Sequence, residues 1–424
     1  MIRSFFHAFA FRDYRWLWLL TTLTNSASWT FTLVVTWQAY ALTHSSSWSG
    51  AVMFATLIPN IVGAPIAGVL ADVMDRRILL VAACGIEIVI TVLLSVLSRF
   101  HLETPAVLVI LSLLFGLASS GLSVMLSSLV PSVVPQETLF NALSLQAVAQ
   151  RGTEFVGPAL ASPLLILFGP GMAYLLATFF YAFAGTLVFF LANVHIESLT
   201  DGDLRRLTIF APFLDGFIYV RKNPTIGLMV SLVGFHCALT MAYMGMLPQF
   251  VKTSLHGSTA FYGLVVSAIG LGSIFGTLLL AGVKGVRLRG GLYWVTAVIS
   301  GASLTLFALS KTPVLAMLAI ILVGASQAIF MTLSLGYIQH MSVKQMTGRV
   351  TSLYLVLAGG FMSLANLGYG TLSNVIAPEW IMRSTGVLFM LIVGIYGLFS
   401  AQFRTVSRFG TFLSHDNDMQ SVRG

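Results

Sequence analysis

Three strongly ionisable side chains stand deep inside long apolar stretches of this sequence: Glu87, Arg151 and Glu154. A charge at the centre of a bilayer costs about 2.5–3.5 kcal/mol even on a lenient insertion scale, so their retention points to use, to shielding, or to both. Arg151 and Glu154 are three residues apart, which on a helix puts them on one face within pairing reach. They read either as a self-neutralised structural pair or as a proton site at Glu154 governed by Arg151 and by access. Glu87 has no partner in its own stretch. It reads either as a neutral hydrogen-bonding group against a neighbouring helix or as a proton carrier reached by water. His236 is the other titratable candidate, with Cys237 beside it. Adjacent helical residues point about 100° apart and no His/Cys/Asp cluster surrounds them, so no metal is expected and His236 reads as a packing residue. No nucleotide-binding GxxxxGK[ST] loop, HExxH pair or Ser/His/Asp set is found, so no catalytic residue, no cofactor and no enzyme activity are expected.

The elements that must position these groups are set by composition. The chain has 424 residues, 57% hydrophobic and 8% charged, with a mean hydropathy of +0.92. A soluble domain carries about a quarter charged residues, so lipid is the main solvent. A helix of roughly 20 apolar residues spans a hydrocarbon core. Twelve such runs are present: 16–41, 48–71, 78–98, 106–131, 143–168, 171–193, 225–250, 259–283, 291–310, 313–337, 351–376 and 381–402. They must be helices, because an unpaired backbone amide in lipid costs several kcal/mol, and the short alternating strands of a barrel are absent. The expected fold class is therefore an all-α membrane protein. Cys84 and Cys237 both lie in apolar runs, so no disulfide framework is implied. Residues 1–15 hold Arg3, Arg12 and Arg15 among aromatics and read as a short amphipathic helix on the membrane surface.

Orientation follows from loop cations. With the N-terminus in the cytoplasm, seventeen of the 22 Lys and Arg residues fall in cytoplasmic segments. Arg99, Lys252, Lys311 and Arg383 fall outside, and Arg151 lies within a run. The excess of base is thus a topology signal rather than a nucleic-acid one. It predicts a multi-pass protein of the cytoplasmic membrane with both termini inside, its cations near anionic lipid heads.

The runs divide into a half at 1–193, a polar linker at 194–224 with an amphipathic stretch from Phe213 to Lys222, a second half at 225–403, and a tail at 404–424. A weak echo links Gly68-Val69-Leu70-Ala71 with Gly276-Thr277-Leu278-Leu279, each near the end of a second run in its half. Repeated six-span units mark secondary transporters that rock around a midplane site.

The loop after the second run, Gly68-Val69-Leu70-Ala71-Asp72-Val73-Met74-Asp75-Arg76-Arg77, resembles the major facilitator signature between spans 2 and 3. Several stretches resemble the efflux branch of that superfamily that holds enterobactin exporters and macrolide pumps. They are Phe11-Arg12-Asp13-Tyr14-Arg15, Tyr40-Ala41-Leu42-Thr43, Asn141-Ala142-Leu143, Gly157-Pro158 and Gly348-Arg349-Val350. The resemblance implies twelve helices in two pseudo-symmetric six-helix bundles. It implies that Asp72 accepts hydrogen bonds from the start of span 11 to lock the cytoplasmic side, with Asp75, Arg76 and Arg77 as pairing charges and Gly68 as a close-approach point. The chain departs from the signature: Val73 stands where a basic residue is common, Asp75 where glycine is common, and Leu280 matches Asp72 in the second half, so the latch reads as one-sided. Gly157 and Pro158 resemble the bend of the antiporter signature in span 5, although Ala161 and Ser162 replace glycines expected after it.

In the first run Asn25, Trp29, Thr32 and Thr36 follow steps of four, three and four, one helical stripe. The resemblance places spans 1, 4, 7 and 10 around a central cavity. Ser119, Ser120, Ser123 and Ser127 come from span 4. His236, Thr240, Tyr243 and Met244 come from span 7, and Gln327, Met331, Ser334 and Tyr337 from span 10. Span 11 adds Tyr354, Asn366 and Tyr369. Such an aromatic, hydroxyl-bearing, methionine-rich wall suits large amphipathic molecules, while small residues equally serve helix packing. The expected function is proton-driven export of a lipophilic or amphipathic small molecule by alternating access, in a monomer. Uptake, lipid flipping, or a sensor built on a transport fold are the competing readings.

Overall fold

The computed structural model describes residues 7–191, 211–283 and 285–400. Among them the protein is helical, without a strand. A 3₁₀ turn at His7–Ala10 leads into α1 (Arg12–Thr43), α2 (Ser46–Leu57), α3 (Asn60–Val73), α4 (Arg76–Arg99), α5 (Pro105–Val133), α6 (Gln136–Phe168) and α7 (Pro170–Val188). After the linker come α8 (Ala211–Lys222), α9 (Pro224–His236), a π-helical turn at Cys237–Met241, and α10 (Leu247–Thr253). The chain continues through α11 (Thr259–Gly282), α12 (Val286–Leu309), α13 (Pro313–Met341), α14 (Lys344–Leu372) and α15 (Pro378–Phe399). Residues 1–6, most of the linker, Lys284 and the expected tail lie outside the described residues.

Nine of the described helices are long and apolar enough to cross a membrane: α4, α5, α7, α9 with its π turn, and α11 to α15. The first and fifth apolar runs also form long helices, α1 and α6. The former is rich in Thr, Ser and Trp, and the latter carries Arg151, Glu154 and glutamines. The run at 48–71 differs from the expectation of one helix. It divides at Ile58 and Pro59 into α2 and α3, where Pro59 lacks the amide that would continue the ladder. The run at 225–250 likewise unwinds after Met241 and restarts at Leu247. The surface helix expected over 1–15 is not a separate element where it is described, because α1 already begins at Arg12. Its start is pinned to α6 instead: Ala8 N–H donates to Asn141 Oδ1 at 2.9 Å, Tyr14 Oη to Ala142 O at 2.7 Å, and Trp18 Nε1 to Leu145 O at 2.9 Å.

Local signals fix the helix starts. Proline occupies the first turn of α5, α7, α9, α10, α13 and α15, where its missing N–H costs nothing. Side chains of Ser45, Asp75, Thr104, Ser258 and Thr312 cap α2, α4, α5, α11 and α13, each satisfying an orphan amide worth roughly 1 kcal/mol. The outer faces keep their apolar side chains uncovered, among them Leu167 (71% exposed), Val314 (71%) and Phe399 (81%). A surface of that kind matches hydrocarbon, not water.

Three apolar clusters form the interior. One is built from α1, α2 and α4 to α7 around Phe31, Phe115, Tyr174 and Tyr181. Another is built from α8, α9 and α11 to α15 around Tyr293, Phe330 and Phe389. The third joins Leu33, Met53 and Ala161 to Tyr243, Phe250, Tyr262 and Phe307. Two helix pairs carry that seam, α6 against α11 and α2 against α14. In the first, a Cβ added to Gly270 would lie 2.3 Å from the backbone of Glu154, so glycine lets α11 reach the ion-pair segment directly.

Candidate functional site

The seam encloses a cavity of about 290 Å³. Its wall takes Ser28, Trp29 and Thr32 from α1, Met53, Thr56 and Leu57 from α2, and Arg151 and Glu154 from α6. Met241 comes from the π turn, Tyr243 and Met244 from the unwound segment after it, Ile269 and Ser273 from α11, Gln327, Ala328 and Met331 from α13, and Met362 from α14. Five thioethers, an indole and a phenol give it a polarisable apolar lining with few fixed hydrogen-bond vectors, a surface that adapts to bulky organic shapes.

Arg151 and Glu154 supply the charge. Arg151 Nη1 lies 2.7 Å from Glu154 Oε1, with the side chains 32% and 11% exposed. The pair is the i,i+3 contact expected from spacing, and it faces the cavity. Just beyond it, a Cβ on Gly157 would lie 2.5 Å from Ser26 O, and Thr30 Oγ1 donates to Gly157 O at 3.2 Å. The Gly157-Pro158 segment therefore holds α6 tight against α1 within a continuous helix.

Of the other expected cavity residues, Trp29, Thr32, Tyr243 and Gln327 line it. Thr36 lies behind Thr32, bonded to Thr32 O at 2.7 Å and to Met53 Sδ at 3.4 Å. Tyr354 is buried behind Met331, to whose carbonyl it donates at 3.4 Å. Asn25 turns to its own helix, donating to Thr21 O at 2.9 Å. His236 and Thr240 do not line the cavity, although Thr240 O accepts from the lining Gln327 Nε2 at 2.6 Å. His236 Nε2 meets Ser300 Oγ at 3.0 Å and its ring packs on Phe330 and Phe389, while Ser300 Oγ reaches Thr240 Oγ1 at 3.3 Å. Tyr337 sits edge-on to Tyr293, also apart from the lining.

Asn366 does a different job. Its Oδ1 accepts from Gly245 N–H at 2.8 Å, and a Cβ on Gly245 would lie 2.8 Å from the Cα of Gly50. A Cβ on Gly50 would itself lie 2.5 Å from Asn366 O. The unwound segment, α2 and α14 thus meet backbone to backbone. Around this point Asn374 Nδ2 donates to Ser47 Oγ at 2.6 Å, Gln249 Nε2 donates to Ser373 O at 3.0 Å, and Trp37 stacks on Tyr262. At the opposite end of α14, Arg349 Nη1 pairs with Asp215 Oδ2 of α8 at 2.8 Å.

Glu87 is fully buried on α4, and neither carboxyl oxygen has a hydrogen-bond partner. It lies close enough to Cys84 and Tyr181 to act on both electrostatically. Tyr181 Oη in turn lies 2.8 Å from Ser28 Oγ, which lines the cavity. In the loop after α3, Asp75 accepts from Arg77 N–H at 2.7 Å, and Arg77 Nη2 donates to Leu191 O. Arg76 is half-buried at the start of α4. Gly68 and Asp72 lie in the last turns of α3, with the side chain of Asp72 outside the described residues. Sequence reasoning missed the contribution of α2 (Met53, Thr56, Leu57) and of α11. A signal was present in α11, where Ile269 and Ser273 are four apart on the face that also carries Gly270's close approach.

Comparison with known proteins agrees with this arrangement. Residues 3–408 match the family described as transmembrane secretion effector. The enterobactin exporter EntS of Citrobacter koseri is 27% identical over 374 residues, 84% of this chain and 86% of that protein. The staphyloferrin A transporter of Staphylococcus aureus is 21% identical over 344 residues, 80% of this chain and 84% of that one. The nucleoside transporter NupG shares the fold with a TM-score of 0.71 at 14% identity, covering 90% of this chain and 99% of its own. A POT family transporter crystallised with a thioalcohol-conjugated peptide does so with 0.73 at 11% identity, covering 92% and 96%. With a helical membrane-crossing body and a match along nearly its whole length, the chain belongs to the transmembrane secretion effector family of the major facilitator superfamily.

Proposed function

We propose that the protein is a proton-coupled exporter of an amphipathic organic molecule from the cytoplasm, of the kind for which its relatives, an enterobactin exporter and a staphyloferrin A transporter, are named. In this reading twelve membrane crossings form two six-helix bundles, with α1–α7 in one and α9–α15 in the other, and the cavity lies on the seam between them. Both termini face the cytoplasm of a bacterial inner membrane, and the protein works as a monomer among lipids. The observation that carries the proposal is the Arg151–Glu154 pair in an otherwise apolar, methionine-rich wall.

The chemistry follows from that pair. While Glu154 is ionised, it cancels the charge of Arg151. A proton on Glu154 removes the attraction and leaves the guanidinium free for an anionic or polar edge of the cargo. Proton and cargo then favour different pairings of the same two side chains, the unequal binding that coupling requires. A proton moving inward along the potential releases about 2.3 kcal/mol per 100 mV. Glu87 is assigned a supporting role as a second proton holder, reached from the cavity through Ser28 and Tyr181. Gly68, Asp72, Asp75, Arg76 and Arg77 are assigned to the cytoplasmic latch, in which α3 and α14 alternate between docked and parted states. Gly157 and Pro158 keep α6 against α1 while it moves. Trp29, Thr32, Tyr243 and Gln327 contact cargo, with Thr36 and Tyr354 shaping the wall behind them.

The test is transport in proteoliposomes bearing an imposed pH gradient, with fluorescent catecholate and lipophilic-cation probes. Wild type should drive probe against the proton gradient, and Glu154→Gln should bind probe but lose the dependence on the gradient. Gradient-driven transport by Glu154→Gln equal to wild type would refute the coupling role.

A further inference from the structure

One buried thiol behind two of the cavity's methionines has no part in the exporter mechanism. The thiol of Cys237 lies 3.9 Å from Met241 Sδ and 3.9 Å from Met331 Sδ. Cys237 is a free cysteine, 1% exposed, while both thioethers reach the cavity wall. Cys237 and Met241 bracket the π-helical turn, a widened backbone geometry found disproportionately at functional positions. Met331 comes from α13, a different helix.

We propose that Cys237, Met241 and Met331 form a binding site for a soft monovalent cation of the Cu(I)/Ag(I) class. Sulfurs about 2.3 Å from a shared ion, the length of a metal–thiolate bond, stand about 4 Å apart when spread at 120° around it. The two separations from Cys237 match that spacing, and the unbranched methionine side chains can bring their thioethers to the third. One thiolate with two thioethers is a soft donor set, which selects ions of this class over hard or borderline ones. Among the described residues no group of three or more His, Cys, Asp or Glu could hold a harder ion. The imidazole beside Cys237 is turned to Ser300 on the far face. Charge points the same way. Binding breaks the Cys237 S–H bond, forms a sulfur–metal bond and releases the proton to cavity water. Thiolate and monovalent cation then cancel. A divalent ion would leave one positive charge over, where Glu154, the one carboxylate among the lining residues, is already held by Arg151. A bound ion would tie the π turn to α13 across two helices that line the cavity.

The site is tested on the full-length protein in detergent by titration with Ag(I), with bound metal measured after equilibrium dialysis and gel filtration checking that each variant stays folded. One ion per chain is expected. Cys237→Ala should weaken it at least about 100-fold and Met331→Leu at least about tenfold, matching or exceeding the loss from outer-shell changes at metal sites. Cys84→Ala, in the other apolar cluster, should bind as wild type. Cys237→Ser, which keeps the volume, repeats the test should the alanine variant unfold. Wild type taking up no Ag(I) would overturn the site. So would undiminished binding by both Cys237 variants, or an unchanged affinity in the Met241→Leu/Met331→Leu double variant. None of these readouts requires transport, so the outcome is separate from that of the exporter proposal.

Discussion

Arg151 and Glu154 share one compensated charge, and breaking the pair exposes the other half. In a partly solvated wall, Glu154→Gln should lower stability by about 1–3 kcal/mol, between the values for exposed and buried pairs. The double variant Arg151→Met/Glu154→Gln should recover much of that in thermal unfolding while remaining uncoupled. Recovery of transport along with stability would mean the pair is only structural. Asn366→Ala should cost about 1–3 kcal/mol, because it leaves the buried amide of Gly245 without an acceptor, read as a lower midpoint in the same experiment. At this scale the sequence was legible where spacing alone decides contact, as with the i,i+3 pair and part of the α1 stripe. It was not legible for Thr240, and only half so for His236, read both as a packing residue and as cavity wall and found packed. Their fate depends on which face of the seventh run meets α12, and the widened turn at Cys237–Met241 alters the phase of that face. Nor could it show that Asn366 would serve a backbone amide from a distant segment.

The helices themselves were readable because apolar length and capping residues act locally. Their interruptions were less so. Pro59 divides a run, yet Pro131, Pro158 and Pro163 lie within continuous helices, so proline marks a possible break and tertiary packing decides it. The contact of α6 with α11 depends on Gly270. Gly270→Val would place side-chain atoms into the backbone of Glu154, and overpacking of this kind costs about 1–3 kcal/mol. The expected outcome is a lower unfolding midpoint together with weakened probe binding at the ion-pair wall. An unchanged midpoint with normal binding would show that the seam has slack that the distances do not suggest.

Across the whole molecule the two ends of the seam are fastened differently. One is closed by Asn374 with Ser47, by Gln249 with Ser373, and by the glycines around Asn366. At the other, the contact of α14 is with the linker helix, through Arg349 and Asp215. A Ser45→Cys/Asn374→Cys pair, whose native side chains touch at 3.1 Å, should oxidise readily, arrest transport and regain it on reduction. Both native cysteines are buried, which keeps the oxidation selective. Continued transport in the oxidised protein would show that this end never opens.

Gly50, Gly245 and Gly370 bring main chain against main chain at that closure. Where main chain meets main chain there is no rotamer to change, and the side-chain hydrogen bonds around it only reinforce the contact. In the proposed cycle this contact parts only when whole helices tilt, and the same contact would then limit ion leakage while the entrance is half open. Widening any of the three glycines should therefore yield a carrier that dribbles protons without moving cargo.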